Sequence, residues 1–152
     1  LKGTGDSMHE ELLIEYFNKL EKIFELDEDI KQYREKMEKE LDTERKELGE
    51  IIFACSTRQE IVNILRERAM KSDLRNSIYI GLHVKQLNLM KELQGLMDEL
   101  GMNNTDIPVL DNLTGSLNEM VNAFENKIRE MAEGFQRNSL EFNAFLTNAL
   151  NG

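Results

Sequence analysis

Tryptophan is absent from this chain, cysteine occurs once, at Cys55, and proline once, at Pro108. A single cysteine excludes an internal disulfide and fits a reducing, cytoplasmic compartment. With one proline and nine glycines in 152 residues there is little to break helices. No run of Val, Ile or Thr alternates with polar residues, so no strand or sheet is expected. No stretch approaches the 18 apolar residues of a membrane span. Basic side chains are also short, 19 against 29 acidic, for a net charge of −10. That balance disfavours nucleic acid and anionic membranes as partners, because both select basic surfaces.

What is present is helical periodicity. From Asp111 to Leu150, apolar residues fall at Leu113, Leu117, Met120, Phe124, Ile128, Met131, Phe135, Phe142, Phe145 and Ala149. Steps of three and four put them on one stripe of a helix. A one-stripe helix of about 35 residues, ~50 Å long at 1.5 Å per residue, needs a partner surface over that stripe. Ser116 with Glu119 has capping-box spacing near its start.

The opening LKGTGDS, residues 1–7, reads as an expression scar or flexible leader, with Met8 the first native residue. Ser7 with Glu10 is a second capping box. Leu13, Phe17, Leu20 and Phe24 then carry a stripe, broadened by Leu12, Tyr16 and Ile23. Leu26-Asp27-Glu28-Asp29 either turns, with Asp27 capping a new helix, or continues; the aspartates favour the turn. The seam from Ile30 to Phe53 is narrow (Ile30, Met37, Leu41, Leu48, Ile51, Ile52), a coiled-coil pattern with charged flanks. Within it Glu38–Asp42 and Glu40–Glu44 are like-charge pairs at four-residue spacing, and Glu35–Lys39 is a favourable one.

Thr57 with Glu60 caps a further helix running to Leu100, with a kink possible at Gly81. Gly101 ends it as a left-handed cap, and Met102 to Pro108 is a loop. This predicts a hairpin of 58–100 against 112–150. The chain therefore divides into a leader (1–7), an amino-terminal helical hairpin (8–55) and a second hairpin beginning a rod (56–152). The expected fold class is all-α, elongated, with no sheet. Residues 9–50 hold fifteen acidic and eight basic side chains, and residues 58–100 hold six and seven. The plain reading is solvated helix faces, and the sharper one makes the middle segment the face for an acidic neighbour, the first segment included.

Chemistry is sparse. His9 and His83 are the only histidines; His9 lies in the leader region, and His83 has no carboxylate at metal-ligand spacing on its face. There is no phosphate loop, nucleophile elbow or zincin signature, and Cys55 lacks a histidine neighbour. No cofactor, metal or catalytic residue is assigned and an enzyme is not expected. The eight methionines read as core fillers, or alternatively as an adaptable partner groove.

Three places together resemble the non-motor bundlers of antiparallel microtubules at the spindle midzone, the family of protein regulator of cytokinesis and the anaphase spindle elongation factor. Leu20-Glu21-Lys22-Ile23-Phe24-Glu25-Leu26 is similar to that family's early Leu-x-x-Ile-aromatic-Glu turn. The family usually has Trp at the position of Phe24, and the Ile-Gly that often follows is missing. Leu93-Gln94 through Asp98-Glu99-Leu100-Gly101 resembles a helix end before a polar loop. Leu110-Asp111-Asn112-Leu113, leading to Lys127-Ile128-Arg129 and Phe135, resembles the helix after it.

The resemblance implies an amino-terminal dimerisation region: an antiparallel homodimer docking a midzone kinesin or central-spindle protein. Microtubules would be reached only through regions outside this chain. The location implied is the cytoplasmic cytoskeleton at the midzone, with nuclear residence in interphase. Leu13, Phe17, Leu20, Phe24, Ile30, Met37 and Leu41 are the expected dimer interface, a patch on two helices joined near Asp27. The competing expectations are a compact monomer with these residues packed inside, and a helical chaperone or adaptor for a helical or unfolded client.

Overall fold

The computed structural model describes the backbone of residues 4–101 and 108–151, and the side chains of 10–101 and 115–151. It is all-α: helices α1 (Thr4–Phe53), α2 (Arg58–Glu99) and α3 (Pro108–Asn151), with no strand among the described residues. The hairpin of α2 and α3 matches the periodicity, and Gly101 has the expected positive φ of 73°. Its N–H reaches the Asp98 carbonyl at 3.0 Å, closing the last turn of α2. The loop over 102–107 lies outside the described residues. Helix α3 starts at Pro108, where a missing N–H costs nothing. Ser116 is consequently inside the helix rather than at its cap.

The expected hairpin over 8–55 is not formed; α1 runs through Asp27 without a break. Ile23, Leu26 and Ile30 step by three and four and are all buried, so their stripe crosses the acidic run. Burying them outweighs the turn preference of the aspartates, and Asp27 turns its carboxylate to Gln86 of α2 instead of capping. Helix α1 also takes in residues 4–7, which the sequence reading assigns to a leader. The Ser7 cap lies outside the described side chains. Gly81 does not interrupt α2.

Contacts group into two units that do not follow the expected division at 55/56. The first is Leu1–Asp29 with Leu82–Ile128, and the second is Ile30–Gly81 with Arg129–Gly152. Each draws on all three helices. In the first, Lys19 meets Glu92 and Ile23 meets Gln86, so partner numbers fall along α2 as they rise along α1, an antiparallel pairing. Its core joins Ile23 of α1, Leu87, Met90, Leu93 and Met97 of α2, and Leu117 and Val121 of α3. Met90 and Met97 fill gaps there. His83 is buried, 5.8 Å from the Phe124 ring.

In the second unit the buried apolar residues are Ile30, Val62 and Leu146. Arg58 donates to the Ala149 carbonyl (3.3 Å) and Ser139 to Asp73 (3.0 Å), pairing α2 with α3 antiparallel. The α3 stripe sits one residue round from the expected one in two places. Val121 and Leu146 are inside, whereas Met120 and Phe145 are exposed.

The α1–α2 turn holds Cys55, half-buried, with its thiol donating to the Ile51 carbonyl at 3.3 Å. The Thr57 cap forms as expected: its hydroxyl accepts from the Glu60 N–H (3.2 Å). Glu60 answers one residue earlier than a capping box requires, at the Ser56 N–H (2.7 Å).

Candidate interaction surfaces

In the first unit, one face of α1 is left uncovered. Ile14, Phe17 and Phe24 are 62%, 61% and 64% exposed, with Leu13 beside them. The Tyr16 ring meets Phe17 edge-on at 5.5 Å between centroids, so Tyr16 anchors on the core side and steadies the outward ring. Aromatic and aliphatic side chains clustered this way mark contact surfaces rather than scattered exposure.

The seven expected interface residues therefore separate. Leu13, Phe17 and Phe24 face outward. Leu20 packs against the first unit's core, Ile30 is buried, and Met37 and Leu41 are half-buried in the second unit. Ile30 is occupied within its own chain, because the helix that was to bend away at Asp27 instead carries it inward. The two-helix patch is thus corrected to a single-helix stripe. Ile14, outside the seven expected, joins it; its place three before Phe17 and ten before Phe24 was the available signal.

In the second unit, a groove of about 260 Å³ lies between α1 and α2. Tyr33 and Met37 of α1 and Leu74 and Ile78 of α2 supply its apolar wall, with Lys36, Lys71, Arg75 and Glu40 around them. Tyr33 stacks on Tyr79 at 6.5 Å and donates to the Arg75 carbonyl at 3.2 Å, which fixes that wall. Burial pushes the Tyr33 hydroxyl above its ordinary pKa. Leu74 and Met70 are among the most exposed apolar residues of α2.

A larger cavity, about 660 Å³, is walled by all three helices in this unit. Leu41, Leu48, Leu65, Phe135 and Phe142 line it beside Arg45, Arg68 and Arg75. Arg75 forks onto both oxygens of Glu44 and reaches Glu40 through Nε at 3.2 Å. Arg68 donates to the Glu44 backbone carbonyl at 3.1 Å. The Arg75 hydrogen bond holds the Glu44 carboxyl below the usual range, and the same bond raises the guanidinium. The like-charge pair Glu40–Glu44 is thus a two-pronged clamp on one cation, and the middle segment does receive the acidic first segment as the charge count implied.

Among the described residues, no group of three or more His, Cys, Asp and Glu is placed to hold a metal ion. None of their helices is long and apolar enough to cross a membrane. No protein family, curated protein or solved structure matches this chain.

Proposed function

We propose that this chain is a non-enzymatic, self-associating helical scaffold segment whose contact is the outward stripe of α1. The observation that carries this is the set Leu13, Ile14, Phe17 and Phe24, large apolar side chains uncovered on one helix. Burying a fully exposed side chain of this size is worth roughly 1.5–3 kcal/mol, and these four, already partly covered, would each add about half of that. Four from each of two copies offset an association cost of about 4–15 kcal/mol.

Within that reading, the particular role is a piece of a spindle-midzone microtubule cross-linker, located on the cytoskeleton and receiving a midzone kinesin or central-spindle protein. Its support is the resemblance over residues 20–26, 93–101 and 110–135. The unbroken α1 departs from the amino-terminal hairpin expected over residues 8–55. A fluorescent fusion expressed in dividing cells tests this role: concentration at the midzone is the expected result, and diffuse fluorescence throughout anaphase counts against it.

The dimer is tested by light scattering over a concentration series on the parent and on Phe17→Glu/Phe24→Glu. The parent should approach twice 17.7 kDa, and the double variant should stay near 17.7 kDa with its helicity intact. A parent that is monomeric throughout would remove the scaffold reading. A second reading, an adaptor that takes up an amphipathic client segment, is favoured by the 660 Å³ cavity with its apolar walls and arginines. A monomeric parent whose Phe135 and Phe142 signals shift on adding a client helix would support it.

A further inference from the structure

Through Glu28 the α1 stripe carries charge of one sign; the next position on it, three residues on, is exposed Lys31. Glu10, Ile14, Phe17, Glu21, Phe24 and Glu28 step by four, three, four, three and four, which places them on one face of the helix. Every ionisable group in that row is a carboxylate, and exposed Glu25 lies at its edge. Lys19 is on the other side, in a 2.8 Å ion pair with Glu92 of α2. Pairing this stripe with its own copy would run the carboxylates of both chains along one seam, which is unfavourable.

The groove on the second unit has the opposite character. Tyr33, Met37, Leu74 and Ile78 give it an apolar floor of matching kind. Its rim carries Lys36 and Lys71, while Arg75 is taken up by Glu44 and by Glu40, the one carboxylate in the lining. In a chain of net charge −10 the groove is basic and apolar where the α1 stripe is acidic and apolar.

We propose that the α1 stripe of one copy, around Phe17 and Phe24, seats in the Tyr33/Met37/Leu74/Ile78 groove of a second copy, with Lys36 and Lys71 meeting Glu21 and Glu25. The inference rests on the self-association proposed above and names its two faces. Phe17 and Phe24 fill the apolar floor, and the rim charges set register and orientation. Every copy carries both surfaces, so each copy can supply the stripe or the groove.

Two variants test it by sedimentation and light scattering on the full chain. Glu21→Lys/Glu25→Lys makes the stripe basic, and Lys36→Glu/Lys71→Glu makes the groove acidic; all four positions are exposed. Each variant alone should associate at least ~10-fold more weakly than the parent, since like charges then face each other. An equimolar mixture should regain the parent's affinity, because the basic stripe now matches the acidic groove and the untouched pair remains. Circular dichroism checks that each stays helical. If Lys36→Glu/Lys71→Glu self-associates as the parent does, the groove is not the receiving surface, although the scaffold reading stands. If the mixture fails to recover while the parent dimerises, the pairing is equally overturned. A parent that is monomeric at all concentrations removes both, and an acidic amphipathic helix from another protein becomes the groove's occupant.

Discussion

Arg75 of α2 meets Glu44 of α1 fork to fork, Nη1 and Nη2 each donating to a different carboxylate oxygen. Both side chains are mostly shielded, at 13% and 23% exposure, so this pair is screened less than the exposed Lys46–Asp42 pair on α1. It ties α1 to α2 through residues 31 apart in sequence, and the guanidinium also reaches Glu40.

Arg75→Ala should therefore destabilise the fold by about 2 kcal/mol, since Glu44 loses a charge-assisted partner while staying half-covered. Arg75→Lys should recover less than half of that loss, because an ammonium cannot bridge Glu44 and Glu40 with one planar fork. Urea titration of the three proteins measures both differences. Equal stability of parent and Arg75→Ala would show the clamp to be energetically idle.

The same pair gives a pH dependence of definite sign. Glu44 has its folded pKa held below the ordinary value by the Arg75 hydrogen bond. Its contribution is present above the unfolded carboxylate pKa and is lost as pH falls through the lower, folded value. Thermal melts of the parent from pH 7 to pH 3 should show an acid loss, of which about 1 kcal/mol disappears in Glu44→Gln. Parallel acid limbs in the two proteins would contradict the assignment.

Gln86 is nearly fully buried and donates to the Ile23 carbonyl at 3.1 Å and to Asp27. Gln86→Glu places a second carboxylate against Asp27 from a buried position. The new group's folded pKa is raised, so the penalty, about 1–3 kcal/mol, exists above the unfolded carboxylate pKa and fades at lower pH. Chemical denaturation at pH 7 and pH 4 should show the gap between variant and parent narrowing with acid.

Two glycines should respond in opposite directions. Gly101 sits at φ 73°, so Gly101→Ala is strained there by ~1 kcal/mol even though open space surrounds it. Gly81 lies inside α2 with nothing within 4 Å of an added Cβ. Gly81→Ala should stabilise by ~0.5–1 kcal/mol. Paired melting curves of the two variants check the signs.

Much of the fold is legible locally. The seven- and four-residue spacing of Leu117, Phe124, Ile128 and Phe135, the Thr57 cap and the Gly101 stop each express short-range geometry, so α2 and α3 follow from residue order. The candidate surface is legible in part. Phe17 and Phe24 are where the stripe puts them, but Ile30 looks the same in sequence and is buried. Glu40–Glu44 reads as repulsion on an isolated helix, since nothing local reveals that Arg75 will arrive between them.

The sequence by itself determined helix content, the α2–α3 hairpin and the sign of the charge, because periodicity, caps and composition act over a few residues. Tertiary structure decided whether Asp27 turns or continues, which aromatics stay outside, and which cations line a groove. Those outcomes depend on Gln86, Arg75 and the core residues Met90 and Leu93, which reach α1 only once α2 folds back along it. Burial of Ile23, Leu26 and Ile30 against that returning helix then outweighs the local preference of the acidic run.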